Sequence, residues 1–278
     1  MSTREDYPAG VPCWADTNQP DPTAAARFYS GLFGWETADM MPPGSGGQYF
    51  MARLGGRDAA AISSLPPGAS PAAAWNTYIR VESADDAAAK IRAAGGTVLS
   101  EPFDVFDSGR MGVFADTEGA VFSVWQAGRH RGSAAVNEHG AVNFNNLHTG
   151  DIDAARAFYG AVFGWTTIEV GSGLMWALPG YGDYLETLNP GMRASMEQMG
   201  APTGFEDVVA TIAPRDGRPA RWTVTFGVDD VDLIASRARE LGGTVLAEPR
   251  DAPWTRFAVL ADPAGAEFTA SQFVPPSR

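Results

Sequence analysis

Proton transfer, metal ligation and nucleophilic attack need ionisable or donor side chains at matched spacing, and this chain carries few. It has 3 His and 1 Cys in 278 residues. His130 and His139 fall in a stretch rich in Gly and Arg, so His148, at the end of the alternating run from Val142, is the one imidazole on a strand pattern. One imidazole alone makes neither a metal cluster nor a Ser/His/Asp or Cys/His couple. Cys13 has no partner for a disulfide and reads as a small core residue. The candidates left for moving a proton are Asp16 and His148, with Asp183 reading as an exposed carboxylate. Gly44 to Gly47 is followed by Gln48 rather than by Lys and Ser or Thr, which excludes a phosphate loop there.

The remaining chemistry is that of recognition. Period-two alternation puts Trp14, Asp16 and Asn18 on one strand face, Asn76, Tyr78 and Arg80 on another, and Ser123 with Trp125 on a third. Farther on it groups Phe144, Asn146 and His148, then Thr223 with Thr225, then Thr269 with Ser271. Aromatic walls with a few neutral polar groups suit a flat, mainly apolar small molecule better than a phosphate or nucleotide. The competing reading is that Trp14 and Trp125 simply fill the interior. Met192, Met196 and Met199 recur at helical spacing, which fits either a core face or an adaptable lid.

The elements that must position these residues occur twice. Phe28-Tyr29, Phe33-Gly34-Trp35 return 130 residues later as Phe158-Tyr159, Phe163-Gly164-Trp165. Gly95-Gly96-Thr97-Val98-Leu99 returns as Gly242-Gly243-Thr244-Val245-Leu246, and Asp116 to Phe122 as Asp262 to Phe268. Two similar halves follow, residues 11–126 and 140–273, joined by a linker at 127–139 whose Arg129, His130 and Arg131 read as solvated. The second half carries an insertion of about 17 residues, placed at Asn189 to Asp216. Within each half, strand and helix periods alternate as βαβββ twice over, with Asp21-Pro22 opening the first helix and Gly34 closing it. The class is α+β, and the chain holds four such units.

The formal charge of −13 repels phosphate backbones and anionic lipid, which argues against nucleic-acid and membrane partners. With no apolar leader or span, a cytoplasmic protein is the default expectation. Four units on one chain make a monomer sufficient, and a homodimer stays open.

These repeats resemble the vicinal oxygen chelate superfamily of glyoxalase I, bleomycin-resistance proteins and extradiol dioxygenases. The chain is most similar to the tandem actinobacterial members often labelled hydroxylases, some of them accessories of antibiotic biosynthesis. The resemblance implies two tandem domains, each a pair of βαβββ units curved into a mixed-sheet cup with the ligand in the concavity. It also implies a divalent metal held by His, Glu or Gln, yet the matching positions are Trp14, Asn76 and Ser123 in one half and Phe144, Thr223 and Thr269 in the other. The expectation is therefore no metal and no cofactor, and a protein that sequesters, carries or presents a small molecule on the residues named above. A metal-free enzyme of hydroxylase, lyase or isomerase type, using Asp16 or His148, is the alternative; a metal-dependent glyoxalase or dioxygenase fits less well.

Overall fold

The computed structural model describes residues 4, 6–66, 68, 72–171 and 173–275. The first unit is β1 (Pro12–Gln19), α1 (Pro22–Phe33), β2 (Glu36–Asp39), β3 (Tyr49–Leu54) and β4 (Arg57–Ser64). The second is β5 (Ala74–Arg80), α2 (Ala84–Ala93), β6 (Thr97–Val105), β7 (Gly109–Ala115) and β8 (Val121–Ala127). The third is β9 (Val142–Thr149), α3 (Ile152–Phe163), β10 (Thr166–Val170), β11 (Gly173–Ala177), the added helices α4 (Tyr181–Leu188) and α5 (Met192–Gln198), and β12 (Val208–Pro214). The fourth is β13 (Arg221–Gly227), α6 (Val231–Glu240), β14 (Thr244–Ala252), β15 (Thr255–Ala261) and β16 (Glu267–Phe273).

Local chemistry sets the ends. The Asp21 carboxylate accepts from the Ala24 N–H at 2.9 Å and Asp151 from that of Ala154 at 3.0 Å, capping α1 and α3. Both helices stop at a left-handed glycine, Gly34 and Gly164. The repeated Gly-Gly pair has two causes. Gly95 and Gly242 take positive φ, whereas a Cβ on Gly96 or Gly243 would meet the ring of Phe158 at 2.7 Å or Phe28 at 2.9 Å.

Each half forms one eight-stranded mixed sheet, in the order β2-β3-β4-β1-β5-β8-β7-β6 and β10-β11-β12-β9-β13-β16-β15-β14. The two units of a half join where β1 runs antiparallel to β5, and β9 to β13. The architecture is thus α+β, two tandem cups. Two differences from the sequence reading have physical reasons. Strand β6 continues through Pro102 because it lies at the sheet end, where a missing N–H breaks no ladder. The insertion begins earlier than Asn189 and ends earlier than Asp216, since α4 belongs to it and Val208–Pro214 is a strand.

The core does not divide as the sheets do. Helix α1 carries Phe28, Tyr29 and Phe33 into a cluster with Phe226, Ile234 and Phe268 of the fourth unit. Phe158, Tyr159 and Trp165 of the third unit cluster with Ile91 and Phe122 of the second. Buried hydrogen bonds cross the same seams: Tyr29 donates to Asp262 at 3.0 Å and Tyr159 to Asp116 at 2.9 Å, and each phenol accepts from an indole, Trp75 or Trp222, at 2.9 Å.

Candidate functional site: the second cup

The strand registers align the two concave faces row by row, and the rows explain why the cups differ. Asp16 opposes Asn76 and Trp14 opposes Tyr78 in the first half; the matching pairs in the second are Asn146 with Thr223 and Phe144 with Thr225. One row nearer the hairpin, Phe103, Met111 and Trp125 stand in line, where the second half has Arg250, Phe257 and Ser271. Tyr78 and Trp125 are thereby exchanged for a threonine and a serine.

In the first cup the central side chains, Trp14, Asp16, Tyr78, Ser123 and Trp125, are buried. Asp16 is 3% exposed and accepts from Asn76 Nδ2 at 2.8 Å, Tyr78 Oη at 2.8 Å and Tyr49 Oη at 3.4 Å. Burial pushes its pKa up, with these three donors pulling the other way. Ser123 is buried and stands in register beside Tyr78. The Trp14 indole donates to Tyr49 at 3.1 Å and that of Trp125 to the His130 carbonyl at 2.9 Å. His130 corrects the solvated reading of the linker: its ring sits edge-on 4.3 Å from Trp14 and 5.8 Å from Trp125, and burial lowers its pKa. Arg80 lies at the strand end, bonded to the Val81 carbonyl and 3.9 Å from Asp6.

The second cup is open. A cavity of about 860 Å³ is floored by Asn146, Thr211, Thr223, Thr225 and Thr269 and walled by Phe144, Met175, Trp254 and Phe257. The Asn146 amide donates to Thr225 at 2.9 Å and Thr223 at 3.2 Å and accepts from Thr211, so the floor is polar, neutral and internally satisfied. Leu185 and Leu188 of α4, Met192 and Met196 of α5 and Met199 just beyond it line the cavity as a roof, with Leu188 and Met199 at its exposed edge. The methionine spacing was the sequence signal for this roof; Tyr49, Thr211, Trp254 and Arg250 were not singled out. The cavity continues past Arg4, Tyr7, Cys13 and Trp14 under the N-terminal segment. There Arg4 donates to the Tyr181 hydroxyl and Tyr184 donates to the Asp6 carbonyl at 2.7 Å, tying that segment to α4.

Known proteins resemble this chain in sequence and fold. The description "Glyoxalase/Bleomycin resistance protein/Dioxygenase superfamily" matches residues 14–124, and "Glyoxalase-like domain" matches 142–271. "Putative glyoxylase CFP32" of Mycobacterium tuberculosis (strain CDC 1551 / Oshkosh) is 40% identical over 99% of both chains. The chain belongs to the glyoxalase/bleomycin resistance protein/dioxygenase superfamily. The anthracycline biosynthesis protein DnrV of Streptomyces peucetius is 35% identical over 95% of this chain and 93% of its own. In fold, the superfamily likeness extends to the Mn(II)-bound glyoxalase from Novosphingobium aromaticivorans, with a TM-score of 0.60 at 16% identity over 98% of this chain and 83% of that one. The 2,3-dioxygenase LapB from Pseudomonas sp. KL28 gives 0.60 at 14% over 97% and 95%.

Measured against a superfamily metal site, the donor set is poor. Among the described residues no group of three or more His, Cys, Asp or Glu could hold an ion. The floor offers amide and hydroxyl oxygens that stay protonated or neutral at pH 7, and these do not fit a tight divalent site. His148 is the cup's one imidazole. Its Nε2 lies 3.1 Å from Thr223 Oγ1, its buried Nδ1 has no hydrogen-bond partner, and burial together with nearby Arg221 lowers its pKa. It is therefore neutral at pH 7. Cys13 is buried, with a thiol pushed up to about 12 by desolvation, and is no nucleophile. Asp183 is exposed and paired with Arg193 at 2.7 Å, away from proton-transfer duty.

Proposed function

We propose that the second cup binds a flat, largely apolar aromatic molecule without a metal, and that the protein sequesters, carries or presents that molecule in a biosynthetic accessory role. The observation that carries this reading is the cavity of about 860 Å³, with methionine and aromatic walls over a neutral threonine floor, in the half where the bulky rings of the first cup are absent. The volume suits a fused-ring ligand of drug size. A relative that is named for anthracycline biosynthesis supports a polycyclic aromatic as the ligand class.

Fluorescence titration with an anthraquinone tests it. Saturable quenching of tryptophan emission is expected, with the compound recovered unchanged and with no dependence on added Zn, Ni, Fe or Mn. Near-stoichiometric metal retained through dialysis would refute the metal-free reading. A catalytic variant of the proposal rests on His148, which lines the cavity and whose pKa is lowered by burial, favouring the neutral imidazole. In that variant His148 takes a proton from bound substrate, mass spectrometry finds a changed compound, and H148Q abolishes the change while retaining binding.

A further inference from the structure

The two halves share an ion-pair motif at the hairpin beyond the cups. Arg110 binds Asp85 at 3.0 Å and Asp104 at 2.9 Å; Arg256 binds Asp232 at 2.8 Å and Asp251 at 2.9 Å. Both guanidiniums lie on the outer face of their sheets, and in register they pair with Asp104 and Asp251. The inner face beside them is where the halves part. Phe103 opposes Met111 in the first, whereas Arg250 opposes Phe257 in the second. Arg250 stands over the Phe257 ring, its guanidinium carbon 4.7 Å from the centroid, and lines the cavity. Among the described residues it has no carboxylate within ion-pair distance, so neighbouring arginines face opposite ways, one doubly paired and one free.

The rest of the lining sharpens the contrast. Among the described lining residues the other cation, Arg4, is engaged by Tyr181 and Tyr7, and the acid, Glu206, lies 3.6 Å from Arg193. Arg250 is exposed, so its guanidinium stands in solvent at the rim of the cavity without an ion-pair partner among the described residues. A planar guanidinium held against a ring presents a fork suited to an acidic oxygen at the edge of a flat molecule. Resting on the proposed binding role of this cup, we propose that Arg250 sets its specificity, and that the molecule taken up carries an anionic oxygen, carboxylate or ionised phenol, at the edge lying toward the β14–β15 hairpin.

Matched probes test this. Affinities of anthraquinone-2-carboxylate and its carboxamide, and of 2-hydroxyanthraquinone and its methyl ether, are measured by fluorescence for wild type, R250K and R250M. Wild type should favour the acidic member of at least one pair by about tenfold or more, and which pair responds distinguishes a carboxylate from a phenolate. R250M, which keeps a straight chain over Phe257, should erase that preference and leave the affinity for the neutral probes within about twofold. R250K should keep part of it, and added salt should weaken it in wild type. If all four probes bind wild type without preference, or R250M retains the preference, the assignment of Arg250 is overturned while the cup remains a binding site. If none binds, the binding role itself fails and the assignment falls with it.

Discussion

Asp16 and His148, one in each cup, carry opposite electrostatic histories. Asp16 is buried among three donors, so Asp16→Ala should strand Asn76, Tyr78 and Tyr49 and lower stability by about 2–3 kcal/mol in thermal or urea unfolding. Ligand affinity in the second cup should not change, which separates a filler from a binding residue. Its raised pKa fixes the sign with pH. The carboxyl favours folding when protonated, so that contribution is complete below the ordinary value near 3.8 and lost as pH rises through the folded value. His130 and His148 are depressed instead, so their contribution is present above the ordinary value of 6.5 and lost as pH falls through the folded values. The double variant H130Q/H148Q should therefore show a shallower decline in Tm between about pH 6.5 and 5 than wild type; an identical decline would count against buried neutral imidazoles. Of these residues, the alternation of Trp14, Asp16, Phe144, Asn146 and His148 was legible in the sequence, because a strand forces every second side chain to one face. Whether a face ends up full or empty was not, since that depends on the summed volume of rows contributed by distant strands.

At the level of elements, the roof is the part of the molecule most specific to the second half. Met192, Met196 and Met199 direct unbranched thioethers over the cavity and have little other packing, none of the α5 residues being fully buried. Removing all three as alanines should weaken binding of an apolar ring system by about a hundredfold, at roughly 1 kcal/mol per side chain withdrawn from the ligand. The melting temperature without ligand should barely move. The methionine pattern announced a helix in the sequence, but α4 did not announce itself: Tyr181–Leu188 starts after Gly180 without a side-chain cap, so the usual opening signal is missing. The cap of α1, by contrast, was plain as Asp21.

As a whole, the molecule has two sheets and an interlocked interior. First-unit rings are buried against the fourth unit and third-unit rings against the second, so neither half owns its core. Calorimetry should give one cooperative transition rather than two. Tyr159→Phe, which removes the acceptor of the Trp222 indole and the donor to Asp116, should lower that single Tm through a loss of about 2–3 kcal/mol, although it lies outside both cups. The repeat period made the two halves readable from sequence, but this cross-wiring was invisible, because identical motifs in both halves are equally compatible with cores kept apart. The N-terminal strap has a kinetic consequence. Arg4 and Asp6 are hydrogen-bonded to Tyr181 and Tyr184 of α4, so any opening of the roof is expected to break those two bonds. A purification tag fused ahead of Arg4 loads that escapement. Stopped-flow traces from N-terminally tagged protein should show altered ligand entry and exit rates beside those of C-terminally tagged protein, while the ratio of the rates, and hence the affinity, stays nearly fixed.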